Sequence, residues 1–158
     1  MGFTILSEAD SQRVRDEISQ LEQQPLSDES KLLTLAYLYK GNDLNIAAIN
    51  VLEGLIETGN KTTPIYHLLG SAYQQTGLYR LARERFLIGL EKAKAEDNLS
   101  QQAMIEASLG EVEYVLAELP QSLQWFQAAQ GSYRALGDEG KVEELQERLD
   151  EVRERLGL

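Results

Sequence analysis

The chain has 158 residues, 42% of them apolar, and its 15 basic and 26 acidic side chains leave a formal net charge of −11. That length supports a sizeable core, and that charge repels phosphate backbones and anionic lipid, which argues against nucleic acid as a partner. No cysteine is present, so disulfides and thiol chemistry are excluded; no apolar run reaches the roughly 20 residues of a membrane span, and the opening MGFTILS lacks the basic segment of a signal peptide, which together predict a cytoplasmic protein.

Residues 1–6 read as an irregular lead-in. Ser7 then caps a leading helix over 7–24, in which Val14, Ile18 and Leu21 recur at helical spacing until Pro25 ends it. Residues 29–62 hold two helices around Gly41-Asn42-Asp43, with Gly41 ending one and Asn42 or Asp43 capping the next. Residues 63–102 repeat the arrangement. Thr63 caps, Pro64 takes the first helical position, and Gly77 stops the first helix by adopting a left-handed conformation. Small Gly70 and Ala82, among Tyr66, Leu69, Tyr73, Leu81 and Phe86, let two antiparallel helices approach closely. A break is expected at 97–100, with Asn98 or Ser100 as cap. Residues 103–137 form a third pair, whose second helix opens at Pro120 and whose end is Gly137. Asp138 caps a last helix over 138–157. Its stripe of Val142, Leu145, Leu149, Val152 and Leu156, at steps of 3, 4, 3 and 4, either packs on the third pair or forms a homodimeric coiled-coil seam. The expectation is eight helices and no strand, in one domain spanning 1–158.

The internal spacing carries a family likeness. Counting Thr63 as position 1, position 4 is Tyr66, 7 and 8 are Leu69-Gly70, 11 is Tyr73, 20 is Ala82, 24 is Phe86 and 27 is Gly89. Counting from Glu29, the same positions hold Leu32, Leu35-Ala36, Tyr39, Ala48, Leu52 and Leu55. Counting from Ala103, they hold Leu109-Gly110, Glu113, Ser122, Phe126 and Ala129. This pattern resembles the tetratricopeptide repeat (TPR), a helix–turn–helix unit of about 34 residues. The step from Glu29 to Thr63 is 34 residues and that from Thr63 to Ala103 is 40. The second helix of repeat two and the first of repeat three are therefore expected to be longer. Glu113 stands where the family has an aromatic, which the neighbouring Tyr114 replaces only if the helix rotates. A further step of 40 from Leu109-Gly110 lands on Leu149-Asp150, so the last helix sits on the same lattice and reads as a cap.

Catalytic patterns are absent. His67 is the single histidine, too few for a histidine-rich metal site, and it reads as a polar groove residue. The carboxylates of the last helix, such as Glu143, Glu147 and Glu151, read as a solvated face. No nucleophile–base pair, P-loop or dinucleotide fingerprint occurs. Trp125 reads as packing. No enzyme, metal or cofactor is expected.

The resemblance implies a right-handed α-solenoid of three TPR hairpins, with a leading and a capping helix, that binds a peptide or protein segment on its concave face. In the family, positions 2, 5, 9, 12 and 13 of each repeat face that surface. The candidate site residues are Leu33, Tyr37 and Lys40 from repeat one; Pro64, His67, Ser71, Gln74 and Gln75 from repeat two; and Met104, Glu111 and Tyr114 from repeat three, with Ala107 and Val115 beside them. The Lys, Arg and Asn clamp with which some TPR domains hold a carboxylate is missing, and aromatic, amide and apolar groups suit an apolar or basic segment instead. Two rival roles are self-association through the end helices and docking for a larger enzyme or signalling protein.

Overall fold

The structure is a computed structural model and describes residues 7–158; the irregular lead-in expected at 1–6 lies outside the described residues. Eight helices succeed one another: α1 (Glu8–Glu22), α2 (Asp28–Gly41), α3 (Asn45–Glu57), α4 (Thr63–Gln75), α5 (Tyr79–Ala95), α6 (Leu99–Val115), α7 (Leu119–Leu136) and α8 (Glu139–Leu156). No strand occurs among the described residues. Each helix packs on the one before and the one after it, and α4 also touches α2 and α6. The even-numbered helices thus form one layer and the odd-numbered helices the other. This is the helical solenoid of TPR-like proteins.

The close approach within each hairpin is made by a small residue and a large one. A Cβ added at Gly70 would lie 2.6 Å from Cδ1 of Phe86, and one added at Gly110 would lie 2.4 Å from Cδ1 of Phe126. Both rings are fully buried. The pair at the same register in the first hairpin is Ala36 and Leu52, also fully buried. The expected lengthening is present. α3 and α4 have 13 residues each, whereas α5 and α6 have 17 each.

One turn geometry recurs at the helix ends. Two residues beyond α2, α3, α4, α5 and α6 stand Asp43, Gly59, Gly77, Asp97 and Ala117, all with positive φ. Gly137 and Gly157 take the same conformation one residue beyond α7 and α8. In each of these turns the next N–H reaches back five residues to a carbonyl, as from Leu78 to Tyr73 (2.9 Å) and from Glu118 to Glu113 (2.9 Å). Carbonyls that the helix end leaves free are thereby satisfied. The turn corrects two expected caps. Asp43 takes the left-handed position and Asn42 donates its amide to the Leu38 carbonyl (2.9 Å), so neither side chain caps α3. Thr62, not Thr63, is the N-cap residue of α4, while the fully buried Thr63 donates its hydroxyl to Glu96 (3.0 Å). The expected caps Ser7, Asn98 and Asp138 do accept backbone N–H bonds.

The apolar stripe of α8 is turned inward. Val142, Leu145, Leu149 and Val152 are buried in one cluster with Phe126, Ala129 and Tyr133 of α7. That packing leaves no apolar seam on α8 for a second copy, which corrects the coiled-coil alternative. No helix among the described residues is long and apolar enough to cross a membrane.

Candidate functional site

The even-numbered layer positions the candidate residues. On α2, Leu33 is half-buried against the core, and Tyr37 is 51% exposed. On α4, Pro64, His67, Ser71 and Gln74 are half-buried and Gln75 is exposed. Met104 and Val115 of α6 are 40% and 50% exposed. α4 carries no formal charge along its length, so the middle of this face is apolar, aromatic and amide in character.

His67 is fixed from behind. Its ring centre lies 5.8 Å from that of Phe86, which is itself seated over Gly70. Burial lowers its pKa below the usual histidine value, and the charge of Lys40 lowers it further. Both effects favour the neutral imidazole.

Glu111 and Tyr114 have a different setting, because α8 engages both. Arg148 donates from Nε and Nη2 to the two oxygens of Glu111, at 2.7 and 2.6 Å. This bidentate bond is the main cause of the raised Arg148 pKa. The guanidinium of Arg148 lies 4.7 Å from the Tyr114 ring centre and that of Arg155 lies 4.6 Å from it. The Tyr114 hydroxyl donates to Glu151, and Arg148 pairs with Glu151 as well. Sequence reasoning missed Arg148, Glu151 and Arg155 as members of this face. The signal was available, since a step of 40 from Ser108, Glu111 and Val115 lands on those three positions.

The register of α6 does not rotate to bring Tyr114 inward. Glu113 keeps position 11 and is buried at 5% exposure, with Arg83 of α5 at 3.5 Å. In the preceding repeat Tyr73 fills that position and donates its hydroxyl to Glu53 of α3. Among the described residues, no group of three or more histidines and carboxylates is placed to hold a metal ion.

These features define a TPR-like solenoid in whose even-numbered layer the middle helix, α4, carries no formal charge. No family model matches the chain, and no curated protein matches it in sequence. Solved structures do share its fold. PcrH, solved in complex with the chaperone binding region of PopD, superposes with a TM-score of 0.71 at 19% identity, over 84% of this chain and 98% of PcrH. MamA superposes with a TM-score of 0.61 at 15% identity, over 98% of this chain and 99% of MamA. BtubC (BKLC) from P. vanneervenii superposes at 0.57 and 16% identity, over 94% of this chain and 74% of BtubC. At these identities the likeness is one of fold.

Proposed function

We propose that the chain is a non-catalytic binding module that holds a segment of a partner protein against the face formed by α2, α4 and α6. The observation that carries this reading is the exposure of Tyr37 on α2 and of Met104 and Val115 on α6, on the two helices that α4 touches within its layer, with Ser71, Gln74 and Gln75 of α4 as polar groups that can fix a backbone. Apolar anchors amid hydrogen-bonding side chains are what an extended or helical segment needs. Basic residues in that segment suit a chain of net charge −11. The fold shared with PcrH, solved with a region of PopD bound, supports a protein segment as ligand. Glu111 and Tyr114, held by α8, mark the edge of the site rather than its centre.

A photoreactive residue placed at Ser71 or Met104 should cross-link a partner in the source cell, and one at the exposed Asn50 of α3 should not. A peptide from the captured protein should then bind about tenfold or more weakly to the combined Tyr37→Ala and Met104→Ala variant, since each truncated anchor costs about 1 kcal/mol or more. Equal capture at Asn50, or unchanged affinity of the double variant, defeats the reading.

A further inference from the structure

Positions 4 and 7 are closed in two repeats and open in one. Tyr66 and Glu106 hold position 4 of repeats two and three and are buried, whereas Leu32 of repeat one is 40% exposed. Leu69 and Leu109 hold position 7 fully buried, whereas Leu35 lines an open pocket of about 300 Å³ between α1 and α2. The difference lies in the preceding odd-numbered helix. α3 packs on α4 and α5 on α6. α1, which stands in that place for α2, buries only Val14 and Leu21 and leaves Ile18 half-buried on the pocket wall. The wall is otherwise Leu21, Leu32 and Leu35, and the exposed Leu26 lies in the connection between the two helices. Two carboxylates, Glu22 and Asp28, complete the lining, and among the described residues neither has an ion-pair partner. The single cation of the lining, Lys31, is turned to the Glu22 carbonyl (2.8 Å).

We propose that this open seat docks a basic amphipathic helix of a partner protein, whose apolar side chains enter the pocket while its Lys or Arg side chains meet Glu22 and Asp28. An apolar cavity of about 150 Å³ holds one benzene ring, so the pocket has room for two apolar side chains of that size. The corresponding seats on α4 and α6 are filled by helices, and an amphipathic helix presents its apolar residues in one stripe to such a groove. Charge selects the other half of the partner. The two carboxylates without a cation belong to a chain of net charge −11, and α1 carries five carboxylates against two guanidiniums. Such a mouth attracts ammonium and guanidinium groups and repels an acidic helix or the carboxylate of a fatty acid. A second copy of the chain is a poor match. α5 is its most basic helix, but the exposed Arg80 and Lys94 stand among the exposed Glu84 and Glu91, and Arg83 is bound to Glu113. No residue of the pocket belongs to the segment site on α2, α4 and α6, so the two sites stand or fall separately.

The probe is a synthetic peptide of leucine and lysine, about 14 residues or four helical turns long, with its leucines in one helical stripe, and its binding to the whole chain is followed by fluorescence anisotropy. It should bind, and versions with glutamine for every lysine, or with the same residues scrambled so that the stripe is lost, should bind about tenfold or more weakly. The combined Glu22→Gln and Asp28→Asn variant should weaken the lysine peptide about tenfold, and Leu32→Ala about threefold or more. The combined Glu143→Gln and Glu147→Gln variant removes the same charge from α8 and should change the affinity by less than about twofold. All five side chains are exposed, and melting followed by circular dichroism checks that the variants stay folded. Equal binding of the glutamine version assigns the pocket to an uncharged occupant, and equal binding of the scrambled version or an equal loss in the α8 variant assigns the binding to bulk charge. Self-association of the chain that Leu32→Ala abolishes assigns the seat to a second copy. Each of these overturns the proposal, as does a lysine peptide that fails to bind at about 1 mM.

Discussion

At the carboxyl end of the stack α8 drives Val142, Leu145, Leu149 and Val152 into the core, whereas at the amino end α1 buries only Val14 and Leu21. The amino end also keeps an open pocket of about 300 Å³ between α1 and α2, lined by Ile18, Leu21, Leu32 and Leu35. The two ends differ again in what lies beyond the first neighbour. α8 reaches past α7 to α6 through Arg148 and Glu111. α1 is tied to α2 by the Lys31 ammonium, which donates to the Glu22 carbonyl (2.8 Å), and to the turn after α2 by Arg13 and Asn42 (3.0 Å). An end helix is fastened by the number of side chains it buries and by a second helix to hold. At about 1.5–3 kcal/mol for each large apolar side chain buried, α8 contributes about 6–12 kcal/mol before its ordering entropy and α1 about 3–6. A domain's net stability is about 5–15 kcal/mol, so the first loss is of the order of the whole.

The sharpest way to break this comparison is to remove each end in turn. Deleting 138–158 should abolish the cooperative thermal transition, because it uncovers Phe126, Ala129 and Tyr133. Deleting 1–24 should preserve that transition and lower its midpoint by about 10 °C or less; circular-dichroism melting of the two truncated chains gives the contrast directly. A smaller effect is expected from the hairpin contacts. Gly110→Ala forces a Cβ to within 2.4 Å of a fully buried ring and should cost about 3 kcal/mol. Ala36→Gly, at the same register in the amino-terminal hairpin, should cost about 2 kcal/mol, from helix propensity and the lost buried methyl together. Urea unfolding of both variants would show whether the two hairpins are as unlike as their packing indicates. The smallest expected effect is a gain. Ala117 holds φ at 62°, where the corresponding turns after α4 and α7 have Gly77 and Gly137. Ala117→Gly should relieve that strain and raise the stability by about 0.5–1 kcal/mol, seen as a higher urea midpoint.

The hairpins were legible because they depend on residues close in sequence. Gly70 with Phe86 and Gly110 with Phe126 announce a close approach by size alone, and Gly77 and Gly137 announce their turns by conformational freedom. The caps were less legible. A turn that satisfies its carbonyls through backbone N–H groups needs no side chain from Asp43, so a residue that looks like a cap becomes a left-handed turn residue. The setting of Glu113 was hidden for another reason. What makes it tolerable beside the core is Arg83, thirty positions away and on a different helix, and local spacing carries no sign of that pairing. Glu111 and Tyr114 lie on the layer expected of them, but their engagement by α8 depends on treating the end helix as a further lattice member with its own inward side chains.

The 40-residue step has a consequence for growth. Gly70 and Phe86 become Gly110 and Phe126 on adding 40, and Leu109 becomes Leu149 by the same addition. The carboxyl-terminal half of the molecule is thus written in a unit of constant length, with an inner helix, a left-handed turn and an outer helix in each period. A genetic duplication of one such period would meet the same seat on both sides, since every helix already packs on its predecessor and successor. Each added unit would widen the inner layer by one helix spacing, about 10 Å. The breadth of the even-numbered layer is in this sense a countable, heritable quantity, set by how many times the period is copied.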